Sequence, residues 1–206
     1  MKTQQANLTS TAQQDASEQM PLTSDLHEMK NAYAEALLDQ VDTMQIQIRD
    51  LQEDLSLLQT AENALDLMSE NLAKVRRLVI EKQTCASIES TAVRLDEIRN
   101  LLMINMLVAE DTELNGHYLF KDDIIRMNSD TSGERTLTTS RIPEITGLEN
   151  NDTQATMDSL DMAARTINRQ YERIGALTRA LRQHDEQLQS EAAVLKNALQ
   201  EVKQTD

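Results

Sequence analysis

At 206 residues the chain is long enough for a sizeable core, yet one Phe, three Tyr and no Trp leave it without the aromatics that fill rounded interiors. Its 20 Lys and Arg against 35 Asp and Glu give a net charge of −15, which repels phosphate backbones and anionic lipid. Nucleic acid and membrane surfaces are therefore poor partners, and the scarce rings offer no platform for single-stranded bases.

Residues 1–24 are rich in Gln, Thr, Ser and Ala. They carry too little apolar surface to offset ordering entropy, so they read as a disordered tail. The start, MKTQQANLTS, has one Lys but no apolar stretch behind it, and no segment is apolar enough to insert in a bilayer. Ser24 followed by Asp25 is a candidate N-terminal cap for a first helix running to about residue 82.

Neither Gly nor Pro occurs between Pro21 and Gly116. From Leu37 the apolar series is Val41, Met44, Ile48, Leu51, Leu55, Leu58, Ala61, Leu65, Met68, Leu72, Val75 and Val79. Steps of four and three alternate, except that two threes meet around Leu58. Such spacing puts one apolar stripe along a helix, to be buried against another helix.

Around Gln83–Ser87 the pattern breaks, and Ser87 is a candidate cap for a second helix. Cys85 stands alone, so no disulfide can form within the chain. The second helix becomes apolar nearly all round over Leu101–Ala109, which predicts burial on most faces, and it is expected to stop at Asn115-Gly116. Together the first and second helices span residues 25–116.

Residues 117–151 change character. His117–Phe120 and Ile124–Met127 read as short strands, Asp130–Gly133 as a turn and Thr136–Thr139 as a return strand. This is a β-hairpin lobe. The last helix, within residues 152–206, starts at the cap residues Asn151-Asp152-Thr153. Its seam is Met157, Leu160, Ala164, Ile167, Tyr171, Ile174, Thr178, Leu181, Asp185, Leu188, Ala192, Leu195, Leu199 and Val202. The fold expected is an all-α rod, an antiparallel three-helix coiled-coil bundle with a small β-hairpin insertion. Its core residues include Leu55, Leu65, Leu72, Ile167, Ile174 and Leu181.

These residues resemble a family. The string Asp54–Leu65 followed by Asn71–Leu78 is similar to the amino-terminal rod of bacterial flagellin. Thr112-Glu113-Leu114-Asn115-Gly116 resembles the signature that ends flagellin's second rod helix, and Arg173-Ile174-Gly175-Ala176-Leu177 with Leu181 resembles its carboxy-terminal rod. The related hook–filament junction protein is the nearest alternative, because Asn115-Gly116-His117-Tyr118-Leu119-Phe120 fits its Asn-Gly-x-Tyr-x-Phe signature. The strings that link flagellin's rod to its polymerising terminal helices are not found, so the resemblance implies a rod that does not form filaments alone.

The resemblance implies a non-enzymatic structural protein, a component or accessory of the flagellum, whose partners are itself or flagellar subunits. It implies a flagellar or extracellular location reached without a signal peptide. A soluble helical binding module, such as an export chaperone, or another cytoplasmic scaffold are the alternatives. Flagellin presents an Arg, a Leu and a Glu to its animal receptor, and by motif these fall on Lys74, Leu78 and Glu97; the Arg becomes Lys here and loses its planar fork of donors. No nucleophile–base pair, phosphate loop or metal motif can be assembled; His27, His117 and His184 are scattered, so no catalytic, cofactor or metal residues are assigned.

Overall fold

The computed structural model describes residues 20–84, 87–114, 116–121, 124–129 and 136–204. Three helices dominate: α1 at Met20–Gln83, α2 at Ile88–Asp111 and α3 at Thr153–Gln204. Between α2 and α3 lie four short strands, β1 (Glu113–Leu114), β2 (His117–Tyr118), β3 (Ile124–Arg126) and β4 (Thr136–Thr138). They pair as two antiparallel hairpins, Glu113 opposite Tyr118 in the first and Ile125 opposite Leu137 in the second. The chain divides into two compact units, residues 48–186 and residues 1–47 with 187–206.

Two boundaries differ from the sequence expectation. Helix α1 already includes Met20–Ser24, so it begins before the expected start at Ser24. Pro21 is tolerated there because first-turn N–H groups have no intrahelical acceptor. Of the expected tail, residues 1–19 lie outside the described residues, as do Cys85 and the Asp130–Gly133 turn. At the other end α2 stops at Asp111 with Thr112 as its C-cap, not at Asn115-Gly116. The following residues enter β1, and Gly116, at φ +83°, serves the turn of that first hairpin. Strand therefore begins before residue 117.

Within residues 48–186 the helices run antiparallel, as cross-helix partners show. Ascending α1, Tyr171 donates to Asp66, Arg76 meets Asp161 at 2.5 Å, and Lys82 reaches Asn151 at 2.6 Å, so α3 descends. Helix α2 descends too, with Asn105 bonded to Asn71 and Arg94 to Glu81.

The buried face of α1 has a seven-residue repeat. One row is Leu51, Leu58, Leu65, Leu72 and Val79; a second is Asp54, Ala61, Met68 and Val75; a third is Leu57, Ala64, Asn71 and Leu78. Three rows are what a helix needs when it faces two neighbours rather than one. Leu55, expected in the core, is only half-buried, because the seam position beside it is Asp54, 2% exposed. With Asp54 in the series the steps from Leu51 alternate regularly, and the adjacent threes fall at Ile48–Leu51–Asp54 instead of around Leu58. Leu65, Leu72, Ile167, Ile174 and Leu181 are all buried. Truncating Leu65 to Ala should cost about 3–4 kcal/mol, the range for a buried leucine cavity, and Leu55→Ala about 1 kcal/mol. Equal losses in chemical denaturation would contradict this ordering.

The face of α3 is wide over its first turns, where Thr156, Ser159, Leu160, Ala163, Thr166, Ile167 and Gln170 are buried, and narrows to Ile174 and Leu181. The wide stretch lies where the second hairpin leans on it: Gln170 donates to the Ser140 carbonyl at 3.2 Å and Arg173 to that of Thr138 at 3.3 Å. Helix α3 is capped by Asp152, whose carboxylate accepts the Ala155 N–H at 3.0 Å.

The other unit holds the start of α1 and the end of α3, with Leu37, Val41, Leu188, Ala192 and Leu199 buried. Leu26, Met29 and Tyr33 continue the α1 spacing but are exposed. No helix among the described residues is long and apolar enough to cross a membrane.

A candidate assembly surface on the second helix

Helix α2 is held from both ends and from its middle. Ser87, in extended conformation, accepts the Ser90 N–H at 3.1 Å, which satisfies one orphan donor of the first turn. At the far end the Thr112 N–H and hydroxyl both close on the Val108 carbonyl. In the middle, Ile98 is fully buried, and Asn105 donates to the Met68 carbonyl at 3.1 Å while accepting from Asn71 at 2.8 Å.

The Asn71–Asn105 pair is an amide contact inside an apolar seam. Removing one partner strands a buried polar group, whereas removing both lets apolar side chains close the gap. Asn71→Leu alone should therefore cost about 2 kcal/mol, and Asn71→Leu with Asn105→Leu should recover most of the loss. A double-mutant cycle by urea titration measures it, and additive losses would contradict the account.

Burial of α2 on most faces is not what the structure shows. Among the described residues of α2 only Ile98 and Asn105 are buried. Met103, Ile104, Met106 and Leu107 are 53%, 42%, 53% and 45% exposed. The helix packs one face through Ile98 and Asn105, and its other side, apolar by sequence, is left uncovered. Val93, also exposed, extends this side toward the N-terminus. Exposed charges on α2 include Asp96, Glu97, Glu110 and Asp111, with the exposed Arg99 3.6 Å from Asp96.

Of the receptor-like trio, Lys74 and Glu97 are exposed, but Leu78 is buried at 8%. It belongs to the same inward row as Asn71, so the three side chains do not form one accessible surface. This corrects the carry-over by motif. The Tyr171 hydroxyl is pushed well above the usual phenol range by burial, then by its hydrogen bond to the Asp66 carboxylate and the charges of Asp66 and Glu62. That pattern holds a proton in place across α1 and α3 and offers no acid–base chemistry near neutral pH. No group of His, Cys, Asp and Glu with metal-binding geometry occurs among the described residues.

The fold is similar to that of a solved structure. The crystal structure of Bacillus cereus flagellin superposes with a TM-score of 0.59 at 24% identity, covering 68% of this chain and 88% of that one. The fold is flagellin-like. No protein-family model matches the chain, and no curated protein does. In this flagellin-like fold, the sequence signature around Asn115-Gly116 supplies the first hairpin rather than a helix end, and Leu119 and Phe120 just beyond it are buried. Sequence reasoning missed the uncovered side of α2 because an apolar run says that a helix has apolar faces, not how many neighbours it has.

Proposed function

We propose that this chain is a non-enzymatic structural protein of the bacterial flagellum, a component or an accessory, that packs through its helices against copies of itself or against flagellin-type subunits. The observation that carries the reading is the flagellin-like fold over 68% of the chain. An uncovered apolar side on α2 fits a protein completed by neighbours, since surface helices of isolated proteins rarely group so many apolar residues. The location that follows is the flagellum or the medium.

The nearest second reading is a hook–filament junction-like protein. It is favoured by the string from Gly116 to Phe120, whose glycine sits at φ +83° in the β1–β2 turn. One experiment addresses both. Motile cells are sheared, the flagella are collected by sedimentation, and the chain is followed by immunoblot and immunogold labelling. Label along filaments is expected for the first reading and label confined to the hook end for the second. Recovery only from the lysate, with none in flagella or medium, would overturn both in favour of a cytoplasmic chaperone or scaffold.

A further inference from the structure

We propose that Asn151 is an N-glycosylation site, its side-chain amide nitrogen taking a sugar from a glycosyl diphosphate donor. Sugar attachment there does not depend on the flagellar reading. Asn151-Asp152-Thr153 is an Asn-x-Thr acceptor triplet whose middle residue is not Pro. A triplet this short also arises by chance; the fold supplies the reasons to single this one out.

Asn151 is exposed, in the turn between Gly147 and the start of α3. Its φ is +54°, a left-handed conformation that Asn tolerates better than most side chains. The side-chain oxygen accepts from the Lys82 ammonium at 2.6 Å. An ammonium can only donate, so this contact fixes which end of the carboxamide is oxygen. The amide nitrogen lies on the other side and makes no hydrogen bond among the described residues. Substitution at that nitrogen leaves the bond to Lys82 intact, so a sugar joins the folded surface without a lost contact.

The structural duties of the turn fall on its neighbours. The Asp152 N–H closes on the Gly147 carbonyl at 2.9 Å, and the Asp152 carboxylate caps α3 at Ala155. The Thr156 hydroxyl returns to the Asp152 carbonyl at 2.8 Å. Thr153, half-buried, makes no side-chain hydrogen bond among the described residues, so its hydroxyl is left for a transferase to read. Helix ends fray most readily, which lets the triplet open at the first turn of α3 while the bundle stays packed.

In the transfer, the Asn151 nitrogen bonds to the anomeric carbon as the bond from that carbon to the diphosphate oxygen breaks. The diphosphate leaves with the electron pair, and the amide proton passes to a base of the transferase. Nothing is oxidised or reduced. The carrier on the diphosphate is a nucleotide or a lipid, and both present the same reacting group.

Mass spectrometry of the full chain purified from the cells that make it tests this. Trypsin releases residues 142–165 as one peptide, because no Lys or Arg lies between Arg141 and Arg165. Its major form should carry added sugar, which electron-transfer fragmentation should place on Asn151. A single sugar points to a nucleotide donor and a block of several to a lipid-linked one. Asn151→Gln and Thr153→Ala should each abolish the modification, whereas Thr153→Ser and Asn150→Gln should keep it. The three positions are at the surface or half-buried, and circular dichroism matching wild type shows that each variant folds. An unmodified peptide, sugar on a Ser or Thr, persistence in Thr153→Ala, or sugar at the other triplet, Asn7-Leu8-Thr9, with none at Asn151 would each overturn the proposal. Glycosylated chain recovered only from the lysate would support it and sink the flagellar reading alone.

Discussion

Asp54→Ala should lower the unfolding free energy by on the order of 3 kcal/mol, more than a surface carboxylate ever contributes. The Asp54 side chain is 2% exposed and accepts three hydrogen bonds from the second hairpin: the Asn128 N–H and the Ser129 N–H at 2.8 Å each, and the Ser129 hydroxyl at 2.5 Å. Bonds to a charged acceptor are worth more than neutral ones, and truncation strands the donors as well as removing the bonds. Asp54→Asn keeps one acceptor oxygen and should lose about half as much. Hydrogen exchange at Asn128 and Ser129 reads the local effect, which should exceed that at any α3 amide. A loss below about 0.5 kcal/mol, or unchanged exchange at both amides, would remove the carboxylate from its role as the hairpin's anchor.

Gly147→Ala should be comparably damaging, at about 3 kcal/mol, for a different reason. Gly147 has φ +87°, and a Cβ built there would stand 2.7 Å from the Asp152 carbonyl and 2.8 Å from the Thr156 N–H. Those are backbone atoms of the cap and first turn of α3, tied to Gly147 by the Asp152 N–H at 2.9 Å, so they cannot move aside independently. Gly116→Ala is the control, since φ there is +83° with nothing within 4 Å of the added carbon. It carries the conformational cost alone, about 1 kcal/mol. Thermal melts of the two variants separate backbone strain from collision, and equal losses would show that the clash at Gly147 is relieved.

Much of the fold was legible because its signals are repetitive. The absence of Gly and Pro between Pro21 and Gly116, the spacing of Leu51 to Val79, and Ser87 and Asp152 as caps all speak through local chemistry. What was not legible depends on partners distant in sequence. Asp54 reads as a solvated charge beside an attractive Leu55, and only the backbone N–H groups of Asn128 and Ser129, more than seventy residues away, make it the inward residue. Leu101–Ala109 reads as a helix surrounded by neighbours, but the sequence does not state how many neighbours exist within one chain. Leu78 is similar: its motif position suggests a receptor contact, while its place in the row with Asn71 turns it inward.

The Asn71–Asn105 contact also sets how α2 responds to sliding. The row on α1 that contains Asn71 repeats every seven residues as Leu57, Ala64, Asn71 and Leu78. If α2 slipped along α1 by one repeat, Asn105 would come opposite Ala64 or Leu78, and no amide would answer it. Leucine seams alone tolerate such slippage, because one layer looks much like the next. A single amide pair thus acts as a detent, making the axial register of α2 on α1 a property of the sequence.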